Sequence, residues 1–324
     1  MMRKSTLAVL VLAGTGVFTQ AQAQQGYPVR PVRILIPFPA GGASDTIGRT
    51  VGDALAVQLG QPVVIDNRPG AAGRLATELL SKAEPDGYTL MVGGVGPLSI
   101  SPALYKNLPY DSEKSFSSIT RAGEILNVMV VNASSSARDV KQFIELAKKR
   151  PGELRYGSSG PGQLDHLAGV FFERLAGVRM SHVPYKGGGP ALIDLIAGDL
   201  QVMFSTYVVA APHVTSGKLR AIAVTTANRQ PLLVNLPPVA ETLPGYGVSN
   251  WNGIFAPART PQPVVDRLFR EINKALASSE VKKRQNNAGI EPEGSPSQAD
   301  FAKFLREDRA RWSKIIREAD IRVE

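Results

Sequence analysis

The sequence contains no cysteine, which removes disulfide scaffolds, iron–sulfur clusters, thiolate zinc sites and cysteine nucleophiles together. Histidine is nearly as scarce, with three in 324 residues. His166, His182 and His213 share no helix face and have no carboxylate at ligand spacing, so no metal site is expected. Aromatic residues make up 6% of the chain, and the basic residues behind its net charge of +9 are scattered. No basic run alternates with aromatics, so the charge does not indicate a nucleic-acid partner. Past the first residues, no apolar run approaches the ~20 needed to span a bilayer.

Catalytic frames are missing as well. Gly94-x-Gly96 and Gly160-x-Gly162 carry Ser99 and Asp165 where a dinucleotide fingerprint has its third glycine. Gly217-Lys218 has no glycine five residues earlier, which excludes a P-loop. Gly157-x-Ser159-x-Pro161 ends in proline, so it is not a nucleophile elbow. Ser279-x-x-Lys282 and Tyr110-x-x-x-Lys114 are isolated matches in polar surroundings. The competing catalytic reading is an exported α/β hydrolase using His166 with a nearby serine.

The N-terminus has the form of an export signal. Met1-Met2-Arg3-Lys4 is a basic start, Leu7 to Val17 a short apolar core, and Ala21-Gln22-Ala23 a small-x-small cleavage site. Residues 1–23 are therefore expected to be a signal peptide, and the mature chain to be exported.

With 43% hydrophobic residues, 31 Gly and 24 Pro, the remainder has the composition of a globular α/β protein, long enough for about two domains. Val32–Ile36 reads as a strand, Ala40–Ala43 as a glycine turn, and Ser44 to Leu59 as a helix with Ile47, Val51, Leu55 and Leu59 on one stripe. The same order recurs from Val63–Ile65 and Tyr88–Val92, and again from Val128–Val131 and Leu154–Gly157. Helices are predicted over Gly73–Lys82, Ala137–Arg150, Gln163–Ala176, near Ala191–Ala197 and over Val208–Val214. Strands are predicted at Met180–Val183, Val202–Phe204, Leu219–Val224 and Val248–Phe255. Repeated strand, turn and helix predict two lobes, each a mostly parallel sheet flanked by helices. Extended segments near Asn127 and Asn250 would cross between them. Lobe 1 is then residues 27–126 plus 255–324, and lobe 2 residues 127–254.

Ligands of such sheets bind beyond the carboxyl ends of the strands, here in the cleft between lobes. Two glycine-rich loops, Phe38–Asp45 and Gly157–Gln163, lead into helices there. Free N–H groups at a helix start carry roughly half a positive charge, enough to hold a carboxylate or phosphate without a cationic side chain.

Taken in order, the motifs resemble the Bug family, the periplasmic solute receptors of tripartite tricarboxylate transporters. Tyr27-Pro28, Pro37-Phe38-Pro39-Ala40-Gly41-Gly42 with Asp45, Leu59-Gly60-Gln61-Pro62, Asn67-Arg68-Pro69-Gly70-Ala71 and Pro85-Asp86-Gly87-Tyr88 carry the first part of the likeness. Leu108-Pro109-Tyr110-Asp111, Tyr156-Gly157-Ser158, His166-Leu167, His182-Val183-Pro184-Tyr185-Lys186-Gly187, Trp251, Ala256-Pro257 and Thr260-Pro261 carry the rest. The resemblance implies a type II, Venus-flytrap binding fold in the periplasm. Such a receptor is a monomer with no cofactor, no catalytic residue and no nucleic-acid partner. It takes a small carboxylate and delivers it to permease subunits in the inner membrane. The family's ligand loops fall on Phe38, Pro39, Ala40, Gly41, Gly42, Ser44 and Asp45 in one lobe, and on Ser158, Ser159, Gly160, Gly162, Gln163 and His166 in the other. Gly93, Tyr185, Gly187 and Phe204 are expected as cleft walls. Gln163 and Asp165 depart from the family pattern: a carboxylate at Asp165 would repel a second ligand carboxylate, which favours a monocarboxylate or aromatic acid over citrate.

Overall fold

A computed structural model describes residues 26–319 and 321; the expected signal peptide lies outside the described residues. The chain first runs through β1 (Val32–Ile36), α1 (Ala43–Leu59), β2 (Val63–Asn67), α2 (Arg74–Ser81), β3 (Thr89–Gly94), α3 (Ser101–Leu104) and β4 (Phe116–Ile125). It then forms β5 (Asn127–Asn132), α4 (Val140–Lys149), β6 (Arg155–Ser158), α5 (Leu164–Ala176), β7 (Ser181–Pro184), α6 (Gly188–Ala197), β8 (Val202–Thr206), α7 (Tyr207–Thr215) and β9 (Leu219–Val224). It returns through β10 (Trp251–Pro257), α8 (Gln262–Ala277), α9 (Ser279–Asn287), β11 (Ile290–Glu291) and α10 (Gln298–Glu318).

These elements build two sheets, in the orders β11-β4-β10-β3-β1-β2 and β7-β6-β8-β5-β9. Within each, the strands of the strand–turn–helix repeats are parallel: β1 with β2 and β3, β6 with β7 and β8. The sheets as wholes are mixed rather than mostly parallel. β10 runs antiparallel to β3 and β4, and β5 antiparallel to β8 and β9. The reversed strands are those that meet the crossings, where the chain enters a sheet from its neighbour rather than over a returning helix.

Helix α1 shows how the sequence fixes the first lobe. Ile47, Val51, Leu55 and Leu59 are buried against Ile34, Ile36, Leu90 and Val92, each contributing roughly 1.5–3 kcal/mol of apolar burial. Gly48 permits the close approach: a Cβ there would lie 2.3 Å from Ile36 Cδ1. The helix stops at Gly60, whose φ of +67° is the left-handed cap that glycine adopts without a Cβ clash. Behind the sheets, α10 returns towards the second lobe. It buries Trp312, Ile315 and Ile316 in an apolar cluster that also holds Phe172, Phe204 and Tyr246, and Arg174 of α5 pairs with Glu318.

The two lobes meet at two adjacent crossings. Ile125 N–H donates to Asn250 O at 3.0 Å, and Asn250 Nδ2 donates to Asn127 Oδ1 at 3.2 Å. Trp251–Ile254, placed in lobe 2 by the sequence boundary, pair with the first sheet, so the chain returns at Asn250. Beside this point lies buried Glu124, which accepts from Asn250 N–H at 2.6 Å, from the Ser249 hydroxyl at 2.5 Å and from Arg121 at 2.9 Å. No helix of the described residues is long and apolar enough to cross a membrane.

Burial pushes the Glu124 carboxyl from 4.5 up to about 7, even with Arg121, Ser249 and Asn250 favouring its charged form. A pKa raised by folding stabilises the protein below the unfolded value, and that stability is lost as pH rises through the folded one. Urea unfolding midpoints should therefore contain a Glu124 contribution that declines between about pH 4.5 and 7. Glu124→Gln should remove up to about 1.4 kcal/mol per pH unit of that slope. Parallel profiles for the two proteins would contradict the assignment.

Candidate functional site

A cavity of about 320 Å³ opens between the lobes, at the small end of the roughly 300–1,000 Å³ typical of ligand pockets. The first lobe contributes Phe38, Val95, Gly96, Ile100, Ser101, Leu104 and Tyr105 to its wall. The second contributes Ser159 to Asp165 without Gly160, then Gly188, Gly189, Phe204, Ser205, Thr206 and Val209. Asn127 and Asn250, the paired asparagines of the crossings, close its base. None of these residues is Lys, Arg or His.

Five helices begin at this cleft because each follows a strand whose carboxyl end points there: α1 after β1, the short helix Gly96–Ile100 after β3, α5 after β6, α6 after β7 and α7 after β8. Their N-cap residues are Gly42, Val95, Gln163, Gly187 and Thr206, and none makes a side-chain cap bond. Of the helices that begin elsewhere, α4, α9 and α10 are capped by Asp139, Ser278 and Ser297, while α2 and α8 have no side-chain cap. Side-chain capping normally satisfies one of the orphan donors of a helix start. At the cleft those donors are left to other partners.

At α1 the buried first-turn acid is Asp45, which bonds the loop ahead of the helix. It accepts from Gly41 N–H at 2.9 Å, Arg49 Nε at 2.8 Å and Asn67 Nδ2 at 2.9 Å. Burial alone would raise its pKa; the bonds from Arg49, Gly41 and Asn67 outweigh that and hold it below the usual carboxylate range. Pro39, Ala40, Gly41 and Gly42 form the exposed rim of this loop, and Phe38 is its one residue on the cavity wall. Ser44 is buried and donates to Asn252 Oδ1 at 2.9 Å.

At α5 the partner is Asp165. It accepts from Ser159 N–H at 2.6 Å, from the Ser159 hydroxyl at 2.9 Å and from His166 N–H at 2.9 Å. Burial raises its pKa, opposed by those same bonds. The other donors of the loop are also engaged. Gly160 N–H donates to Ser158 Oγ, Gly162 N–H to His166 Nδ1 and Gln163 N–H to Gly160 O. The Ser158 and Ser159 hydroxyls thus serve the loop itself. Ser158 is fully buried with its Oγ 2.6 Å from His182 Nε2. The His182 ring stacks on His166 at 4.0 Å and on Tyr156 at 4.9 Å. Burial, with His182 as neighbour, pulls His166 down to about 4, and burial lowers His182 as well, so both rings stay neutral near pH 7. Among the described residues no carboxylate bonds either ring, so this serine has neither solvent access nor the oriented base a hydrolase needs.

The remaining expected wall residues divide. Phe204 lines the cavity. Gly93 faces the core, where a Cβ would lie 2.6 Å from Leu98 and 2.8 Å from Phe255. Tyr185 donates to Asp194 at 2.5 Å, away from the cavity wall. Gly187, with φ of +118°, turns the chain into α6. That helix has no acid in its first turn, and a Cβ on Gly188 or Gly189 would meet nothing within 4 Å. The space beside both Cα atoms is therefore open. Sequence reasoning missed this start, because Gly188-Gly189-Pro190 carries no helix propensity and the apolar spacing begins only at Ala191. It also missed the Asn127 side chain, which is 4% exposed and whose Nδ2 has no acceptor among the described residues. No group able to hold a metal ion occurs among the described residues.

Two substitutions test this arrangement. Gly188→Asp places a carboxylate on the open α6 start, as Asp165 does for α5. It should weaken binding of small organic acids by at least about ten-fold in calorimetric titration while leaving the thermal midpoint unchanged or raised. Unaltered affinity would put the anion seat elsewhere. Asp45→Asn should cost ~1–3 kcal/mol in urea unfolding near pH 7 and weaken all acids alike. A changed ranking of acids would show that Asp45 reads the ligand directly.

Comparison with known proteins gives the family and the fold. The sequence profile of the tripartite tricarboxylate transporter family receptor matches residues 47–321. A protein from the tcbD-tcbE intergenic region of Pseudomonas sp. (strain P51) is 37% identical over 316 residues, covering 97% of this chain and 94% of that protein. Among solved structures, R. palustris Rpa4515 with adipate is 33% identical with a TM-score of 0.79, over 91% of this chain and 99% of that one. The periplasmic binding protein BugD is 30% identical with a TM-score of 0.76, over 91% and 99%. The chain has the two-lobed fold of these periplasmic receptors and belongs to the tripartite tricarboxylate transporter receptor family, whose members are solute-binding proteins rather than enzymes.

Proposed function

We propose that the protein captures a small carboxylate between its lobes in the periplasm and hands it to the inner-membrane permease subunits of a tripartite tricarboxylate-type transporter. The observation that carries this reading is the cavity itself. Helix starts without side-chain caps converge on a space that holds no cationic side chain, an arrangement suited to an anion bound by neutral dipoles. The adipate in the R. palustris relative is a carboxylate, and the export signal expected at residues 1–23 would deliver the chain to the periplasm.

Delivery requires that a permease distinguish loaded receptor from empty. The adjacent crossings at Asn127 and Asn250 supply a hinge, and a ligand touching both walls stabilises the closed arrangement by its differential contacts. Small-angle scattering should show a smaller radius of gyration in saturating ligand than without it. An unchanged curve with ligand bound would contradict closure. Because the donors are neutral and the site is partly enclosed, affinity should change little between low and physiological salt.

A further inference from the structure

We infer that a second anion site lies outside the cleft, in the groove where α10 packs against α3 and the loop that follows it, and that it takes an oxyanion group, a carboxylate or a phosphate. The groove has a volume of about 580 Å³ and shares only Tyr105 with the wall of the cavity between the lobes. Arg306, Arg309, Ala310 and Ser313 follow one another at i, i+3, i+4 and i+7 along α10, so a single helix face lines one side. The chain after α3 lines the other and brings in Lys106, Asp111 and Glu113. This site is independent of the carboxylate reading of the cleft.

Arg309 is the centre of the groove. Its side chain is 12% exposed, and burial, with Arg306 as a like-charged neighbour, pulls its pKa below the usual arginine value. Its Nη1 donates to Ser112 O at 3.3 Å, but its Nε is buried with no hydrogen-bond partner. Its one ion-pair partner among the described residues, Glu113, stands 3.5 Å away on a side chain 62% exposed to solvent. A guanidinium taken out of water and left this short of acceptors costs free energy that an oxyanion would recover through charge-assisted hydrogen bonds. The neighbouring charge favours the same occupant. Lys106 and Arg306 form no ion pair among the described residues, whereas Asp111 is spent on the Glu113 and Lys114 N–H groups at 2.8 and 3.1 Å. Ser99, which also lines the groove, is 1% exposed and its Oγ has no partner.

Titration calorimetry on the full mature protein tests this with two probes at matched ionic strength: inorganic phosphate, and an acetylated and amidated triglutamate peptide. Phosphate stands for a free oxyanion and the peptide for a carboxylate side chain on another protein, so the probe that binds identifies the source. At least one of them should bind saturably. Lys106→Gln combined with Arg306→Gln should weaken that binding by at least about ten-fold. Both residues are exposed, so the thermal midpoint of the double variant should match that of the unaltered protein, and the loss then reports the groove. Arg309→Lys, which keeps the charge and loses the planar fork, should weaken the same binding. Binding of neither probe, or binding that the double substitution leaves unchanged, would overturn the inference.

Discussion

A carboxylate entering a cleft loses hydration worth many kcal/mol, and groups on the protein must replace it. In this protein the replacement cannot be a cation, because the cavity wall has none. The burden falls on oriented backbone dipoles, and most of the architecture follows from the need to aim them. Parallel strands deliver helix starts to one place. Glycines there keep Cβ atoms away from the N–H groups, and the starts are left without side-chain caps.

The same physics has been applied inside the loops. Asp45 is a buried carboxylate bonded to the Gly41 N–H of the loop ahead of α1, and Asp165 to the Ser159 N–H ahead of α5 and the His166 N–H of its first turn. They tie down the two glycine loops ahead of α1 and α5. The stacked, neutral His166 and His182 continue this rigid backing behind the second loop. The starts at Gly188 and at Gly96 have no acid in their first turn and both line the cavity. An anion bonded to Asn127, which lies at the crossings, would couple directly to them, since Asn127 also accepts from Asn250.

The family, the two lobes and most elements were legible in the sequence because they rest on local signals. The Ile47–Leu59 stripe, apolar strand runs such as Leu219–Val224, and the glycine turns each announce themselves within a dozen residues. Strand direction was not legible. An apolar run reads the same for either neighbour orientation, so β5 and β10 were assigned to mostly parallel sheets and prove antiparallel. Strand β4, with Ser117, Ser118, Arg121 and Gly123 interrupting its apolar residues, gave no usable run although it forms the longest strand of the first sheet. The candidate site was legible as two loops but not as a set of unengaged donors. Whether Ser159 faces a ligand or its own Asp165 depends on six residues of backbone path, and the placement of Asn127 Nδ2 depends on two crossings meeting.

The most direct measurement is a crystal structure of the protein with a bound acid. The account predicts a closed cleft with the carboxylate oxygens within hydrogen-bonding distance of backbone N–H groups at a helix start on the cavity wall, such as those of Gly188 and Gly189, and no Lys or Arg side chain in contact with them. A carboxylate held by a cationic side chain, or bound outside the cleft, would contradict it.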